Sequence, residues 1–308
     1  MYLEYYLKCL GYSNIPSFLI KYLESPSLLR LKKVGYFCGM DYASKDIYNF
    51  QEYISRYDHS LTVSLIVYKL TNNKIFTLAG LFHDIATPCF SHVIDYMNKD
   101  YEKQESTEEY TEDILRNDIY LKKCLEEDNI NIDDIINFKK YPIVDNDRPK
   151  VCADRIDGVI LTGIGWTKNI SKEDITKVVQ DMHIYINEYS EEEIGFKSLS
   201  VAKKVLEVSK SIDVYCHSKE DNYMMELLSQ ITKLAINKNY IRYDELYTYN
   251  EEELFNIFKE SNDKELNLLI WQFENIKKEE IPNIELPKVK IRDLKPIING
   301  TRIEEKKG

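Results

Sequence analysis

The chain has 308 residues, of which 44% are hydrophobic and 30% are charged, a balance typical of a globular protein with a full hydrophobic core. Its formal net charge of −11 disfavours long-range attraction to a nucleic-acid backbone, so no nucleic-acid partner is expected. No apolar run is long enough to span a bilayer, and the first residues do not resemble a signal peptide. We therefore expect a cytoplasmic protein that makes no membrane contact.

The residue composition also restricts the fold class. With only 10 glycines and 8 prolines, the chain lacks the many tight turns that a β-sandwich or barrel requires. The six cysteines are scattered and include no CxxC pair, which favours free thiols in a reducing compartment over disulfides or a zinc knuckle. Most segments instead show helical periodicity, so an all-α fold is predicted.

Two predicted helices in the first third of the chain carry histidines. Two short helical pieces come first, in residues 15–34, and are broken at Ser25-Pro26, a favourable helix start. The periodicity of residues 54–70 predicts a helix in which His59 shares one face with Val63 and Ile66, and so points into the core. Residues 75–84 are apolar nearly all round and predict a buried helix that ends at His83-Asp84.

The remaining elements are predicted from capping residues and periodicity. They are a short helix near Ser91, a helix opened by a capping box at 106–109, a short helix at 131–138, the helix carrying Asp154 and ending around 163–165, two amphipathic helices near 198–213 and 219–238, and a short strand at 288–292. These elements suggest a core domain over residues 1–170 and a helical C-terminal lobe over residues 171–308, packed on that core and closed by a small β element.

Four side chains in this arrangement are suited to binding a metal ion: His59, His83, Asp84 and Asp154. Taken singly, each is more often structural, since a lone core histidine is usually just hydrogen-bonded. Together they place two imidazoles and two carboxylates in apolar surroundings, which is costly without a cation. Their combined charge of −2 balances one divalent ion, and nitrogen with oxygen ligands suits Mn, Fe, Ni, Zn or Mg.

The sequence around these residues resembles the HD superfamily of metal-dependent phosphohydrolases, and most of all its deoxynucleotide triphosphohydrolase branch. The segments that carry the resemblance are residues 56–61 (RYDHSL), 79–84 (AGLFHD), 90–92 (FSH) and 154–157 (DRID). The likeness extends over roughly residues 15–165. It implies the helical HD fold, one metal ion held by the four residues, and a homo-oligomer.

The resemblance also implies a reaction, in which metal-activated water attacks the phosphorus of a nucleotide, with a deoxynucleoside triphosphate as the leading substrate. Arg56, one helical turn before His59, and Arg155, beside Asp154, are the expected phosphate-binding residues. His92 and Asp95, at i and i+3, are the expected proton donor and the carboxylate that orients it. Ordinary surface ion pairs are the alternative for all of these residues.

Four positions depart from the pattern of the triphosphohydrolases. Thr87 and Gln104 stand where that branch has histidines, while Gly158 and Thr162 stand where it has the tyrosine and aspartate that hold sugar and phosphates. The departures leave three alternatives open: a hydrolase of nucleoside monophosphates or other phosphoesters, a non-catalytic nucleotide sensor or scaffold that keeps its metal, and a structural protein with an empty site.

Overall fold

The computed structural model of the protein describes residues 1–102 and 109–303, and it confirms the predicted all-α class. The helices of this described part are α1 Tyr2–Cys9, α2 Ser17–Tyr22, α3 Pro26–Arg30, α4 Arg56–Thr71, α5 Lys74–Phe82, α6 Val93–Met97, α7 Thr111–Asn117, α8 Ile119–Glu127, α9 Asp133–Ile136, α10 Ala153–Gly165, α11 Lys172–Asp181, α12 Leu199–Cys216, α13 Lys219–Asn237, α14 Glu251–Glu260 and α15 Lys264–Asn275. Within those two ranges, none of the helices combines the length and the apolarity needed to cross a membrane. The capping box predicted at 106–109 includes positions outside the described residues.

The helices α4 and α5 form the centre of the molecule. A capping box fixes the start of α4, because the Ser55 side chain accepts the Asp58 amide proton and the Asp58 side chain accepts the Ser55 amide proton. Asn73 caps α5 in the same manner, with its Oδ1 accepting two amide protons. Gly80 permits close packing of the pair, since a Cβ atom there would lie 3.3 Å from Val67 Cγ2. The two helices thereby hold the ends that carry His59 and His83 in fixed positions.

The helix α10 packs against α4, and a small sheet supports its start. The sheet contains β1 Met182–Ile186, β2 Glu192–Phe196, β3 Ile297–Ile298 and β4 Thr301–Arg302 in that order, with β2 and β3 parallel and the other pairs antiparallel. The Ile194 amide donates to the Val151 carbonyl oxygen at 3.2 Å, two residues before α10 begins. The sheet therefore anchors the segment that leads into Asp154.

The prediction of a strand at 288–292 is wrong. This segment is extended but belongs to no sheet in the described structure. In a strand Val289 and Ile291 would lie on the same face, but Val289 is buried and Ile291 is exposed to solvent, while Lys290 and Arg292 line a cavity. The two apolar side chains therefore do not form one covered face, and their alternation in the sequence does not indicate a strand.

Two hydrophobic clusters make up the core. The first extends from Tyr6 to Leu294 in sequence and includes the buried faces of α4, α5, α10 and α12. The second joins Met40 and Phe90 to the C-terminal helices α13, α14 and α15. Since the first cluster includes residues on both sides of position 170, the domain boundary at 170/171 stays a prediction. A large cavity is lined by residues of both clusters, among them Phe37 and Tyr48.

Candidate metal centre

Three elements bring the four predicted ligands together. His59 comes from α4, His83 and Asp84 from the end of α5, and Asp154 from the first turn of α10. Asp154 Oδ1 lies 3.1 Å from His59 Nε2 and 3.6 Å from His83 Nε2, and the ligand atoms of these three residues all lie within 4.8 Å of one another. The Asp84 carboxylate lies beside this group, with Oδ2 3.7 Å from His59 Nε2 and Oδ1 3.6 Å from His83 Nε2.

Hydrogen bonds fix which nitrogen of each imidazole faces this group. His83 Nδ1 lies 2.8 Å from the Gly80 carbonyl oxygen, which can only accept, so Nδ1 carries a proton. His59 Nδ1 lies 2.7 Å from Asp157 Oδ2 and donates to that carboxylate. In each neutral ring the Nε2 lone pair is then directed toward Asp154. His83 Nε2 is buried and has no hydrogen-bond partner among the described residues, as expected for a metal-ligand atom.

The electrostatics of the group favour a positive charge at this point. Burial lowers the pKa of His59, but Asp154, Asp157 and Asp84 outweigh it and raise the pKa to about 10. Burial raises the pKa of Asp154, but the two imidazoles hold it well below its ordinary value. The pKa of Asp84 is lowered in the same way, because His83 and Arg56 outweigh the effect of burial.

These residues fit a divalent ion. Two imidazole nitrogens and two carboxylates supply the mixed donor set and the charge of −2 that such an ion requires. The carboxylates are partly open, with side-chain exposures of 23% for Asp84 and 33% for Asp154. Both side chains face the cavity, so a ligand can reach the group.

The cavity has a volume of about 790 Å³, large enough for a nucleotide-sized ligand. One end contains the candidate metal ligands His59, Asp84 and Asp154. Elsewhere its wall is aromatic. Phe37 and Phe50 stack with ring centroids 4.3 Å apart, and Tyr48 and Trp166 border them, at 5.5 Å and 6.2 Å from Phe50. One cavity therefore joins a metal centre to a surface on which a planar ring can stack.

The two arginines predicted to bind phosphate both line this cavity, but they differ in how many of their nitrogens already form hydrogen bonds. Arg56 donates from Nη1 to Asp84 Oδ2 at 2.9 Å and from Nε to Ser91 Oγ at 3.2 Å, while no bond from Nη2 is found in the described structure. Arg155 donates from both terminal nitrogens to residues 145–150, including Asp145. Arg155 therefore anchors the loop before α10, and only Arg56 keeps a terminal nitrogen available.

His92 and Asp95 form the predicted pair at the start of α6. His92 Nδ1 lies 2.8 Å from Asp95 Oδ2, and Asp95 is fully buried whereas the His92 side chain is 26% exposed and lines the cavity. Burial lowers the pKa of His92; the Asp95 carboxylate opposes this shift, while the Arg56 and Arg292 charges add to it. Because Asp95 binds the Nδ1 side of the ring, the other ring nitrogen of His92, Nε2, points away from Asp95.

A second group of possible ligands, Asp145, Cys152 and Asp154, shares one carboxylate with the first. Burial raises the pKa of the Cys152 thiol well above its ordinary value, which disfavours the thiolate that a metal would need. Its thiol instead lies 3.7 Å from Asp145 Oδ1, as a hydrogen-bond donor. The histidine-containing group is therefore the better metal centre.

Sequence reasoning missed three residues at the site. Asp157 was noted only as part of the DRID motif, although its spacing of three from Asp154 on one helix was a usable signal. Tyr36 packs against His59, with ring centroids 5.0 Å apart, and Arg292 enters from residues 282–296. Nothing local in the sequence indicates these two long-range contacts.

The positions that depart from the triphosphohydrolase pattern face the same cavity. Thr87, Gly158 and Thr162 all line it, and Gln104 lies outside the described residues. Space at Gly158 is taken by Tyr36, because a Cβ atom on Gly158 would lie 2.9 Å from the Tyr36 hydroxyl oxygen. At Gly158 and Tyr36, close to the metal centre, the wall of the cavity thus departs from the pattern of the triphosphohydrolases.

The fold is helical, and the site brings together histidine and aspartate side chains that are candidate ligands for a divalent ion. Residues 56–159 match the HD domain family, and this segment begins at Arg56 and contains all four candidate ligands. The match covers 104 of the 308 residues, and the chain resembles the HD superfamily in this segment, in its helical fold and in the residues of the site.

Two curated proteins are similar to the chain. One is the uncharacterized protein YdhJ of Bacillus subtilis, 28% identical over 151 residues, which are 48% of this chain. The chain spans less than half of YdhJ, 43% of its length. The other is the metal-dependent phosphohydrolase cns2 of Cordyceps militaris, 22% identical over 261 residues, which are 79% of this chain and 70% of cns2.

Proposed function

We propose that the protein is a metal-dependent phosphohydrolase that acts on a nucleotide, with a deoxynucleoside triphosphate as the leading substrate. The observation that carries the proposal is the opening of the His59, His83 and Asp154 group into a cavity that also holds Arg56 and His92. The printed name of cns2 supports the reaction class. The FSH and DRID segments support the choice of deoxynucleotide.

Different residues of the chain have different roles in the proposed reaction: metal binding, phosphate binding and proton donation. A divalent ion held by His59, His83, Asp84 and Asp154 would activate water and polarise a phosphoryl oxygen. Arg56 donates to the phosphate from Nη2, the terminal nitrogen that its bonds to Asp84 and Ser91 leave available, and Arg155 holds the loop at 145–150 behind it. His92 gives a proton to the leaving oxygen from Nε2, while Asp95 holds the Nδ1 side.

The nucleoside would lie against the aromatic wall. A base stacked on Phe37, Phe50 or Trp166 gains surface burial without needing sequence-specific hydrogen bonds. The nucleotide, as well as homo-oligomerisation, is part of the proposal.

A metal-supplemented screen of nucleoside mono-, di- and triphosphates, with analysis of the products, tests the function and identifies the bond that breaks. We expect phosphate or triphosphate release that requires added divalent metal and is abolished in Asp154→Ala. Full activity in Asp154→Ala would exclude the assigned site. Hydrolysis confined to monophosphates would select the phosphomonoesterase alternative.

The second candidate is a non-catalytic nucleotide sensor that keeps its metal. The presence of Thr87, Gly158 and Thr162 in the cavity wall favours it, since these residues lack the acid–base and sugar-binding groups of the resembled branch. Metal-dependent nucleotide binding without turnover, across Mn, Fe, Ni, Zn and Mg, would support the sensor over the enzyme.

A further inference from the structure

Two arginines on the cavity wall have no carboxylate partner among the described residues. Arg148 lies in the loop before α10, and Arg292 lies in residues 282–296, which we call the C-terminal strap. In the described structure neither guanidinium forms an ion pair, and Arg292 Nε is buried without a hydrogen-bond partner. Arg148 donates to the Asp293 carbonyl oxygen, at 3.3 Å. In a chain with 52 acidic and 41 basic residues, unpaired arginines in a cavity require an explanation.

Other cations of the same cavity are paired. Lys150 contacts Glu191 at 2.8 Å, Arg155 contacts Asp145 at 3.2 Å, and Arg56 contacts Asp84 at 2.9 Å. Their charges are compensated within the protein, so they do not require an external anion. The lack of such compensation within the described structure distinguishes Arg148 and Arg292.

The positive charges on this part of the wall also repel one another. Burial and the nearby charges of Arg292 and Arg155 lower the pKa of Arg148 to about 10. The pKa of Lys290, which lies two residues before Arg292 on the strap, is likewise lowered by burial and by the charges of Arg292 and Arg148. The charges of Arg148 and Arg292, close to each other in a partly buried wall, cost free energy that a bound anion would recover.

We propose that Arg148 and Arg292 form a subsite for a second anionic group, so that the substrate is a nucleotide carrying more than one phosphate group. This inference rests on the proposed function and deepens it, since it separates polyphosphate substrates from monophosphates. Both guanidiniums face the cavity that holds the metal ligands, and their planar forks match phosphate oxygens. The metal centre takes one phosphoryl group while the strap and the loop before α10 hold the other.

Binding of inorganic pyrophosphate and inorganic phosphate to the full chain loaded with Mn²⁺, with no nucleotide present, tests the subsite without nucleotide turnover. We expect wild-type protein to bind pyrophosphate at least about tenfold more tightly than phosphate, the ratio that about 1.4 kcal/mol provides. Arg292→Gln and Arg148→Gln should each remove most of that preference, and Arg292→Lys should keep part of it. Lys150→Gln is the matched control, because it removes a cavity cation that is already paired, and its preference should remain.

Several outcomes would overturn the subsite. They are absence of pyrophosphate binding by the wild-type protein, equal affinity for the two anions, and a preference that survives in the Arg148→Gln/Arg292→Gln double variant. Thermal unfolding of each variant identifies any that fail to fold, and Arg292→Lys then provides the comparison. The binding assay does not depend on nucleotide hydrolysis, so its result remains valid even if the nucleotide screen finds no activity. Conversely, if no preference for pyrophosphate is found, the hydrolase proposal still stands, with a monophosphate as the substrate.

Discussion

Asp157 connects the N-terminal helix to the candidate metal centre. Its Oδ2 accepts the proton of His59 Nδ1 and its Oδ1 accepts the proton of the Tyr6 hydroxyl, both at 2.7 Å. The carboxylate is fully buried, so these two bonds replace the hydration that it loses. A carboxylate behind a ligating histidine fixes the ring orientation and increases its basicity.

We expect Asp157→Asn to weaken binding of the divalent ion by about 10- to 100-fold, because a neutral amide lacks the charge that increases the basicity of His59. Titration of the chelator-treated protein with Mn²⁺ measures the change. Tyr6→Phe is the matched control, since it removes one bond to Asp157 but leaves the charge facing His59, and its effect should be smaller. Unchanged affinity in Asp157→Asn would show that Asp157 has no part in the centre.

The contact between Gly158 and Tyr36 gives a second prediction at this scale. Tyr36 also lies beside Arg56, whose guanidinium carbon is 4.9 Å from the centre of the Tyr36 ring. Gly158→Ala places a methyl group 2.9 Å from the Tyr36 hydroxyl oxygen and should displace the ring from Arg56. Alanine favours the helix by about 0.5–1 kcal/mol, so stability should change little while kcat/KM falls by about tenfold.

The double variant Gly158→Ala/Tyr36→Phe separates the clash from other effects, because it removes the oxygen that the methyl group meets. Steady-state kinetics of the single and double variants should show partial recovery in the double variant. An activity loss that persists unchanged in the double variant would mean that Gly158 acts by some route other than Tyr36.

At the scale of elements, the start of α4 fixes both Arg56 and His59. Its capping box at Ser55 and Asp58 has a counterpart at Ser171 and Asp174 on α11, away from the metal ligands. Each cap satisfies amide groups that the first turn of a helix leaves without partners. The two caps therefore allow a matched comparison.

Replacing either Ser55 or Ser171 with alanine should lower the free energy of unfolding by about 1 kcal/mol, as measured by urea denaturation. Only Ser55→Ala should also weaken Mn²⁺ binding, since a frayed first turn releases His59. Equal metal affinity in the two variants would show that packing, and not the cap, positions α4.

Elements with strong local signals were predictable from the sequence. The boundary at Ser25-Pro26, the buried helix ending at His83, and the helix carrying Asp154 follow from capping residues and periodicity, and the structure contains all three. The strand at 288–292 was predicted wrongly because the alternation suggested one apolar face for Val289 and Ile291, whereas Val289 is buried and Ile291 is exposed. The partners of Tyr36 and Arg292 depend on contacts between distant segments, which periodicity does not encode.

At the scale of the whole molecule, two carboxylates, the half-buried Asp41 and the buried Glu251, lie on either side of Gly35, between the N-terminal region and the C-terminal helices. Glu251 on α14 is fully buried, and a Cβ atom on Gly35 would lie 3.0 Å from its Oε2 and 2.8 Å from Asp41 Oδ2. Burial, followed by the charge of Asp41, raises the pKa of Glu251 from 4.5 to about 8. Burial raises the pKa of Asp41 from 3.8 to about 6.

This pair predicts the pH dependence of stability. Because the folded state holds the Glu251 proton more tightly than the unfolded state, its contribution is complete below pH 4.5 and is lost as the pH rises through about 8. Each unit of pKa difference corresponds to about 1.4 kcal/mol, so urea denaturation at several pH values should resolve the loss. Glu251→Gln should flatten this dependence and stabilise the protein above pH 8.

Glu252→Gln, on the exposed side of the same helix, is the matched control and should keep the wild-type pH dependence, because Glu252 contacts the exposed Lys33 at 3.5 Å. If Glu251→Gln and Glu252→Gln have the same profile, the pair at Gly35 does not govern the stability of the protein.

Anomalous diffraction from crystals grown with Mn²⁺ tests the central claim most directly, because it locates the ion independently of any activity. We predict one ion within bonding distance, about 2.0–2.3 Å, of His59, His83, Asp84 and Asp154. An ion bound instead by Asp145 and Cys152, or the absence of any anomalous peak beside His83 at saturating Mn²⁺, would contradict the account.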